Sequence, residues 1–379
     1  AHMAVVDLVG AALVSEMRGS VDAAWELSSQ QSEHALALIG DQRLEGFFLR
    51  YRQTLELPAH VIESLKHSQA VHTSSQLMVS SFTLKASRLF EEASVNHLVF
   101  KGWPLSIVTN AQEELRGGAD VDVLIEPGSV QSVNGLLLDS GFVPKYAVGP
   151  RSATGWRYVT YRNKELPYTA NGYELDLHLR VTSEPSMMLP TAALLERSQE
   201  IRVGHHTLRT LGLGDTLAAA SFHFFADYCR SLRRLVDVIR LLDRATNDDL
   251  QHMPPASRQA IADVAEVAGR VFKVLPTHNL ELPAPNNDNV SYMSPLLQRH
   301  VELHDVVAND EVKRNPGAFQ RNYSHLRRYT PPIRLIPRLI ARGSLWFPKT
   351  AHRQKPIGLI RAGMWQLVRI FQGKTDSSI

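Results

Sequence analysis

The sequence predicts an α+β fold in which a small mixed β-sheet forms the core between N-terminal and C-terminal helical regions. Apolar residues recur at helical spacing from about Met3 to Ser94, and again from Thr216 onward. The stretches between these regions alternate apolar and polar residues, as strands do. The pattern divides the chain into four predicted parts, namely a helical region at 1–95, a core at 96–212, a helical domain at 213–309 and a basic segment at 310–379.

The N-terminal region is predicted to be helical and carries no catalytic constellation. Leu57-Pro58 interrupts its pattern, because proline cannot continue a helix, and a long helix is predicted from His60 to Ala93. The residues before Met3 resemble a cloning remnant, so the native chain is expected to begin at Met3.

Asp120 and Asp122 are the first candidate functional residues. They lie in the predicted strand Asp120–Ile125, where alternate side chains share a face, so both carboxylates are expected to project together. Adjacent carboxylates repel each other, and a divalent cation would hold both. The alternative is a solvated pair at a strand edge.

A third carboxylate is predicted from the strand at Tyr173–Arg180, which follows the tight turn Asn171-Gly172. Its leucines alternate with polar residues, so Asp176 and His178 are expected to share the face opposite the core. If this strand lies beside the first aspartate strand, Asp176 joins the same site. Such an open three-carboxylate site suits Mg²⁺, and two ions could activate an attacking hydroxyl and steady a leaving pyrophosphate.

Two further features indicate phosphate binding. Lys101-Gly102 ends a short apolar strand, where glycine lets the backbone approach a triphosphate and the following helix could present its amides. Arg116 could clamp a phosphate, or it could pair with Glu113 or Glu114.

The remaining elements are predicted from the same rules of spacing and turn chemistry. Gly214-Asp215 is expected to cap the helix that follows it. The predicted helices are Val130–Leu138, Thr216–Tyr228, Arg230–Arg244, Ala256–Val274 and Pro295–Val307, and the additional strands are Trp156–Arg162 and Thr207–Leu211.

These motifs, in this order, resemble the bacterial uncharacterised nucleotidyltransferase family of the polymerase-beta-like nucleotidyltransferase superfamily. The resemblance covers roughly Val99 to Leu242. The matching stretches are Val99–Gly102, Arg116, Asp120–Ile125, Glu174–His178, Ser221–His223 and Ser231–Asp237.

The resemblance implies an enzyme, with 96–212 as its nucleotidyltransferase core, that transfers a nucleotidyl group from an NTP, preferably ATP, with Mg²⁺. Asp120 and Asp122 would bind metal, and Asp176 would bind metal or act as a base toward the acceptor hydroxyl. The chain departs from the wider superfamily because Trp103 follows Gly102 where a serine is usual. Lys101 or backbone amides would then hold the triphosphate, and phosphoryl transfer stays an alternative.

The histidines and the helical pair have structural alternatives. His178 and His223 are expected at the nucleotide site, although a histidine that faces a core is often only a hydrogen-bonded structural residue. Arg233 and Asp237 are expected there from the family pattern, although residues four apart on a helix also form ordinary salt bridges.

Composition bounds the possible partners. With 44% hydrophobic residues, 21% charged residues and a single cysteine, Cys229, the chain excludes an internal disulfide framework and a cysteine-built zinc site. No apolar run is long enough to span a bilayer and no secretory signal is visible, so a cytoplasmic location is expected.

The net charge of +3 is unevenly distributed, because basic residues dominate from Lys313 onward and only Asp376 opposes them. An apolar helical stripe in this segment would pack on the protein itself, or the segment would bind nucleic acid, a membrane surface or an acidic peptide. The expected partners are an NTP and a small-molecule or peptide acceptor in natural-product biosynthesis. The alternatives are an RNA-modifying, toxin-like enzyme and an inactive nucleotide-binding scaffold.

Overall fold

The computed structural model describes residues 2–19, 24–114, 120–145, 153–182, 187–226, 231–274 and 280–291. The chain forms two compact units. The first comprises Ala1–Gly149 with Lys164–Asp305, and the second comprises Pro150–Asn163 with Val306–Ile379. The predicted helix Pro295–Val307, Arg116, Cys229 and the basic segment at 310–379 lie outside the described residues. The four-part division stays a prediction.

The N-terminal region is helical, as predicted, and its helices are α1 (His2–Arg18), α2 (Ser29–Asp41), α3 (Glu45–Arg50) and α4 (Ala59–Glu92). Helix α4 confirms the predicted long helix. Helix α2 begins with a capping box, in which the Ser28 hydroxyl accepts from the Gln31 amide and the Gln31 side chain accepts from the Ser28 amide. Phe47 and Phe48 of α3 are fully buried and anchor this region.

The core is a five-stranded mixed sheet in the order β1-β2-β5-β4-β3, which confirms the predicted fold class. Among the described residues of this sheet, β2 and β5 pair in parallel, and the pairs β1–β2, β5–β4 and β4–β3 are antiparallel. The strands are β1 (His97–Phe100), β2 (Asp120–Ile125), β3 (Val143–Pro144), β4 (Glu165–Ala170) and β5 (Tyr173–His178). Helices α5 (Gly102–Val108) and α6 (Val130–Asp139) follow β1 and β2.

The hairpin turn between β4 and β5 lies where the sequence places it. Asn171 and Gly172 have φ angles of 53° and 82°, and this left-handed conformation is what a tight asparagine–glycine turn requires. The predicted strand Trp156–Arg162 is wrong, because these residues belong to helix α7 (Ala153–Arg162) of the second unit. Trp156 and Val159 are three residues apart, so this short stretch fits a helical period as well as a strand.

The rest of the first unit is mostly helical. A two-stranded sheet of β6 (Gln199–Val203) and β7 (His206–Thr210) precedes a helical group. The helices are α8 (Thr191–Glu196), α9 (Leu213–Ala226), α10 (Leu232–Arg244), α11 (Asn247–Leu250) and α12 (Pro255–Phe272). Helix α9 packs on α10 and α12, and α12 also packs on α1.

Asp215 does not cap α9, contrary to the prediction. The helix begins at Leu213, two residues earlier, and Asp215 is a buried residue of its first turn. Its carboxylate lies 3.4 Å from Nε of Arg197, so it serves a tertiary ion pair instead of a cap. None of the helices in the described part of the chain combines the length and apolarity that a membrane span requires.

Candidate active site

The parallel pairing of β2 with β5 places the predicted aspartates side by side. Asp122 lies opposite Asp176, and Asp120 lies opposite Glu174 one pleat earlier. Residues directly opposite each other on neighbouring strands project from the same face of the sheet. Asp122 is buried, Asp176 is half-buried and Asp120 is exposed, so the carboxylates lead from the interior to the solvent.

Asp122 is the charged centre of the site. Its Oδ1 atom lies 2.5 Å from Nζ of Lys101 and 2.5 Å from Nε2 of His178. Burial alone would raise its pKa, but the charge of Lys101 and the hydrogen bond to His178 outweigh burial and hold the pKa well below its ordinary value. Asp122 is therefore ionised at any physiological pH.

Asp176 behaves in the opposite way. Burial and then the negative charges of Glu165, Asp122 and Asp120 raise the pKa of Asp176 from 3.8 to about 7. Desolvation and the charge of Asp122 also raise the pKa of Asp120. The carboxylates here outnumber the nearby positive charges, and such an excess of like charge is typical of a functional site.

His178 completes a set of three possible metal ligands. Its ring is fully buried, packs edge-on against Phe100 at 4.8 Å between centroids, and has a pKa lowered by burial and by the charge of Lys101. One ligand atom each of Asp122, Asp176 and His178 lie within 4.8 Å of one another. Two carboxylates and a neutral imidazole fit a divalent cation, because both ligand types bind such ions in their unprotonated forms.

Lys101 reaches Asp122 from a strained backbone. Its φ of 61° and ψ of −163° fall in a region that is nearly restricted to glycine, and Gly102 follows with a φ of 38°. This sharp turn from β1 into α5 leaves the lysine ammonium 2.5 Å from Oδ1 of Asp122 and 3.4 Å from Nε2 of His178. A conformation that costs about 1–3 kcal/mol persists where the surrounding structure imposes it, and such residues cluster at active sites.

The sequence prediction missed Lys164 and Glu165. Glu165 lies opposite His178 in the antiparallel register of β4 with β5, and its Oε2 is 3.4 Å from Nε2 of His178. Lys164 pairs with this carboxylate at 2.7 Å, and its backbone carbonyl accepts from the amides of Leu179 and Arg180. The available signal was the Asn171-Gly172 turn, since the residues just before a tight hairpin turn must pair with those just after it.

His223 lies within electrostatic reach of this cluster. It is half-buried in α9, and its pKa is lowered well below the ordinary value by burial and by the charges of Lys101 and Arg234. Its imidazole is therefore neutral.

Arg233 has partners at a different place. Its Nη1 donates to the carbonyl of Arg43, and its Nη2 lies 2.9 Å from the buried carboxylate of Glu114. Asp237 is buried in the same helix. The structure thus brings together Lys101, Asp120, Asp122, Asp176 and His178, whereas Arg233 contacts Glu114, and Arg116 lies outside the described residues.

Comparison with known proteins now identifies the family. The sequence model of a family described as uncharacterised nucleotidyltransferases matches residues 28–260, which is more than half of the chain. The chain belongs to this family. It is therefore a nucleotidyltransferase, and the family resemblance seen in the sequence is confirmed.

The search of curated proteins finds no match. Among solved structures, the chain is similar to one titled "Crystal structure of lincosamide antibiotic adenylyltransferase LnuA, lincomycin-bound". The two share 17% identity with a TM-score of 0.28, and the alignment covers 42% of this chain and 92% of that chain. A likeness this distant carries no argument about the substrate of the present enzyme.

Proposed function

We propose that this nucleotidyltransferase moves a nucleoside monophosphate from an NTP, preferably ATP, to a hydroxyl, amine or phosphate of a small-molecule or peptide acceptor, with Mg²⁺. The observation that carries the proposal is the register of Asp122 opposite Asp176, with Asp120 on the same face. An ionised, buried Asp122 beside two further carboxylates is the arrangement that a divalent cation and a polyphosphate would complete.

Asp120, Asp122 and Asp176 would hold the metal, and His178 would either join them as a ligand or orient Asp122 through their 2.5 Å contact. A divalent ion in such a site neutralises phosphate charge and favours attack on phosphorus. One ion or two is consistent with this assignment.

Lys101 would contact the triphosphate, together with the backbone at Gly102. Trp103 stands where the wider superfamily has a serine, so positive charge must replace a hydroxyl donor. The Lys101 ammonium is already at the carboxylate cluster, and Lys164 supplies a second ammonium beside His178 and Glu165. His223 and Arg116 stay predicted nucleotide contacts.

The alternative role for Asp176 is that of the base toward the acceptor hydroxyl. A general base works best when its pKa lies near the operating pH, and in the metal-free protein burial and the neighbouring carboxylates raise the pKa of Asp176 to about 7. Asp122 cannot take this role, because Lys101 and His178 keep it ionised with little basicity.

Natural-product biosynthesis in the cytoplasm is the proposed setting. The alternatives predicted from the sequence are an RNA-modifying enzyme that uses the basic segment at 310–379, a phosphotransferase and an inactive scaffold. None of the described contacts favours one of these over nucleotidyl transfer.

The test uses NTPs labelled at either the α or the γ phosphate, with Mg²⁺ and candidate acceptors. Transfer of the α label supports the proposal, transfer of the γ label alone identifies a phosphotransferase, and failure to bind any NTP with Mg²⁺ identifies a scaffold. Asp122→Asn should abolish transfer, whereas Asp139→Asn, which removes an exposed carboxylate at the end of α6, should not. Full activity of Asp122→Asn would refute the metal assignment.

A further inference from the structure

Glu114 is the centre of a buried ion-pair cluster, hereafter the Glu114 cluster, formed by Glu16, Arg50, Glu114, Arg233 and Arg240. The side chain of Glu114 is 0% exposed and lies 2.9 Å from Arg233 and 2.6 Å from Arg240. Both arginines belong to α10, and they are themselves 8% and 4% exposed. The carboxylate of Glu114 therefore joins the short 3₁₀ turn Gln112–Glu114 to the helical group after the sheet.

The same cluster reaches the N-terminal helices. Arg240 also pairs with Glu16 of α1 at 3.0 Å, and Arg50 of α3 lies 3.7 Å from Glu114. The backbone is equally close, because a Cβ added at Gly46 of α3 would lie 1.9 Å from the carbonyl oxygen of Glu114. Helices α1, α3 and α10 thus meet in the Glu114 cluster, in which α3 and α10 contact Glu114 itself.

Stability alone gives a poor reason for this arrangement. Removing charges from water costs several kcal/mol per ion, and buried ion pairs are often replaceable by apolar residues without loss of stability. What an ion pair with two arginines adds is a preferred position, because the carboxylate is attracted to both guanidinium groups at once. The place of Glu114 in the chain then indicates which part of the protein the cluster positions.

Glu114 stands six residues before Asp120, at the start of the connection that leads into β2. The far end of this connection is fixed by the pairing of β2 between β1 and β5. The near end is fixed by the Glu114 cluster. Both ends of the connection are therefore held in place, Glu114 by its ion pairs and Asp120 by the pairing of β2.

We infer that Glu114 is a positioning residue that fixes the approach of the chain to Asp120, and that Arg233 acts on the nucleotide site through Glu114. This inference rests on the proposed function for the meaning of Asp120. It replaces direct contact of Arg233 with the nucleotide by an indirect role.

The experiment compares Glu114→Gln with Glu16→Gln in the full chain. Both variants remove a carboxylate from Arg240, but only Glu114 lies at the start of the connection that leads into β2. We measure the affinity for ATP in the presence of Mg²⁺, and the hydrogen–deuterium exchange of Asp120–Ile125 without nucleotide. Glu114→Asp, which keeps the charge and shortens its reach, serves where Glu114→Gln does not fold.

Glu114→Gln should weaken ATP affinity in the presence of Mg²⁺ roughly 10- to 100-fold, the range of affinity or activity that is lost when residues supporting a metal site are replaced. It should also speed exchange in Asp120–Ile125, whereas Glu16→Gln should match the wild type in both measurements. Equal effects of the two variants would show a purely structural cluster and overturn the inference, as would unchanged exchange in Glu114→Gln. If the wild type binds no NTP, the proposed function fails, while the exchange measurement still decides the positioning role.

A double-mutant cycle separates the two roles of Arg233. If Arg233 acts through Glu114, Arg233→Gln combined with Glu114→Gln should weaken ATP binding no more than the stronger single variant, within about twofold. If Arg233 touches the nucleotide, the two effects should multiply, and the inference for Arg233 would be wrong.

Discussion

Replacing Asp176 by asparagine should stabilise the metal-free protein while it weakens the metal site. In the native protein this carboxylate faces the negative charges of Glu165, Asp122 and Asp120, and together with burial they raise its pKa from 3.8 to about 7. Asparagine has nearly the same shape and carries no charge. The variant removes the repulsion and leaves the packing of β5 in place.

The magnitude follows from the pKa of Asp176. A rise from 3.8 to about 7 corresponds to about 4 kcal/mol at roughly 1.4 kcal/mol per pKa unit. Asp176 is half-buried, so solvent screening reduces the effect, and we expect a gain of about 1–2 kcal/mol in the free energy of unfolding.

The pH dependence gives the prediction its sign. Because the pKa is higher in the folded protein than in the unfolded chain, the wild type loses stability as the pH rises from about 4 to about 7. The variant lacks this loss. Its advantage should therefore be absent below pH about 4, grow through this window and stay constant above it.

Urea denaturation at pH 5 and pH 8 in EDTA, repeated with saturating Mg²⁺, measures these differences. Asp7→Asn is the matched control, because Asp7 forms an exposed ion pair with Lys273 at 2.8 Å and should contribute little. Mg²⁺ should stabilise the wild type more than Asp176→Asn, since a ligand that binds the native state raises its stability. An Asp176→Asn protein that is less stable than the wild type at pH 8 in EDTA would refute the electrostatic reasoning.

Two backbone predictions follow from the same region. Lys101→Gly should be more stable than Lys101→Ala by about 1 kcal/mol or more in urea denaturation, because only glycine adopts the Lys101 φ and ψ without strain. Both variants should bind ATP weakly. Equal stability of the two variants would contradict a strained Lys101. Gly46→Ala should destabilise the protein by about 1–3 kcal/mol, since the new Cβ would meet the carbonyl of Glu114. The control is Gly135→Ala in α6, where the new methyl group has open space around it and should stabilise the protein by about 0.5–1 kcal/mol. A loss of stability in Gly135→Ala but not in Gly46→Ala would contradict the packing argument.

The aspartate strands were predictable because strand alternation fixes which residues share a face. Asp120 and Asp122 follow from alternation in β2, and Asp176 follows from alternation after a turn that the sequence marks clearly. That β2 lies beside β5 was assumed and not predicted, and their parallel direction is seen only in the structure. It depends on contacts between strands far apart in the chain, which no local period encodes.

Glu165 was missed for a local reason. Pro167 lies within the strand β4, and a proline inside a run of residues argues against a strand, so the local pattern does not predict the strand that carries Glu165. The proline is tolerated because β4 lies beside the two-residue strand β3, so most of that edge has no neighbouring strand with which to hydrogen-bond. The strand predicted at Trp156–Arg162 ends before Glu165, which therefore lies outside the predicted sheet.

Arg233 shows why a motif on a helix predicts a face but not a partner. Its spacing from Asp237 predicts a local ion pair, and in the structure Arg233 also contacts the buried carboxylate of Glu114, which lies in a turn that precedes the aspartate strand β2. Glu114 itself looks like the exposed Glu113 beside it, and the sequence offers nothing to separate them. The distinction arises only when α10 packs against the 3₁₀ turn, because a charge that loses its water must find a counter-charge. Under the role inferred for Arg233, the family motif marks a residue that acts on the nucleotide site without touching the substrate.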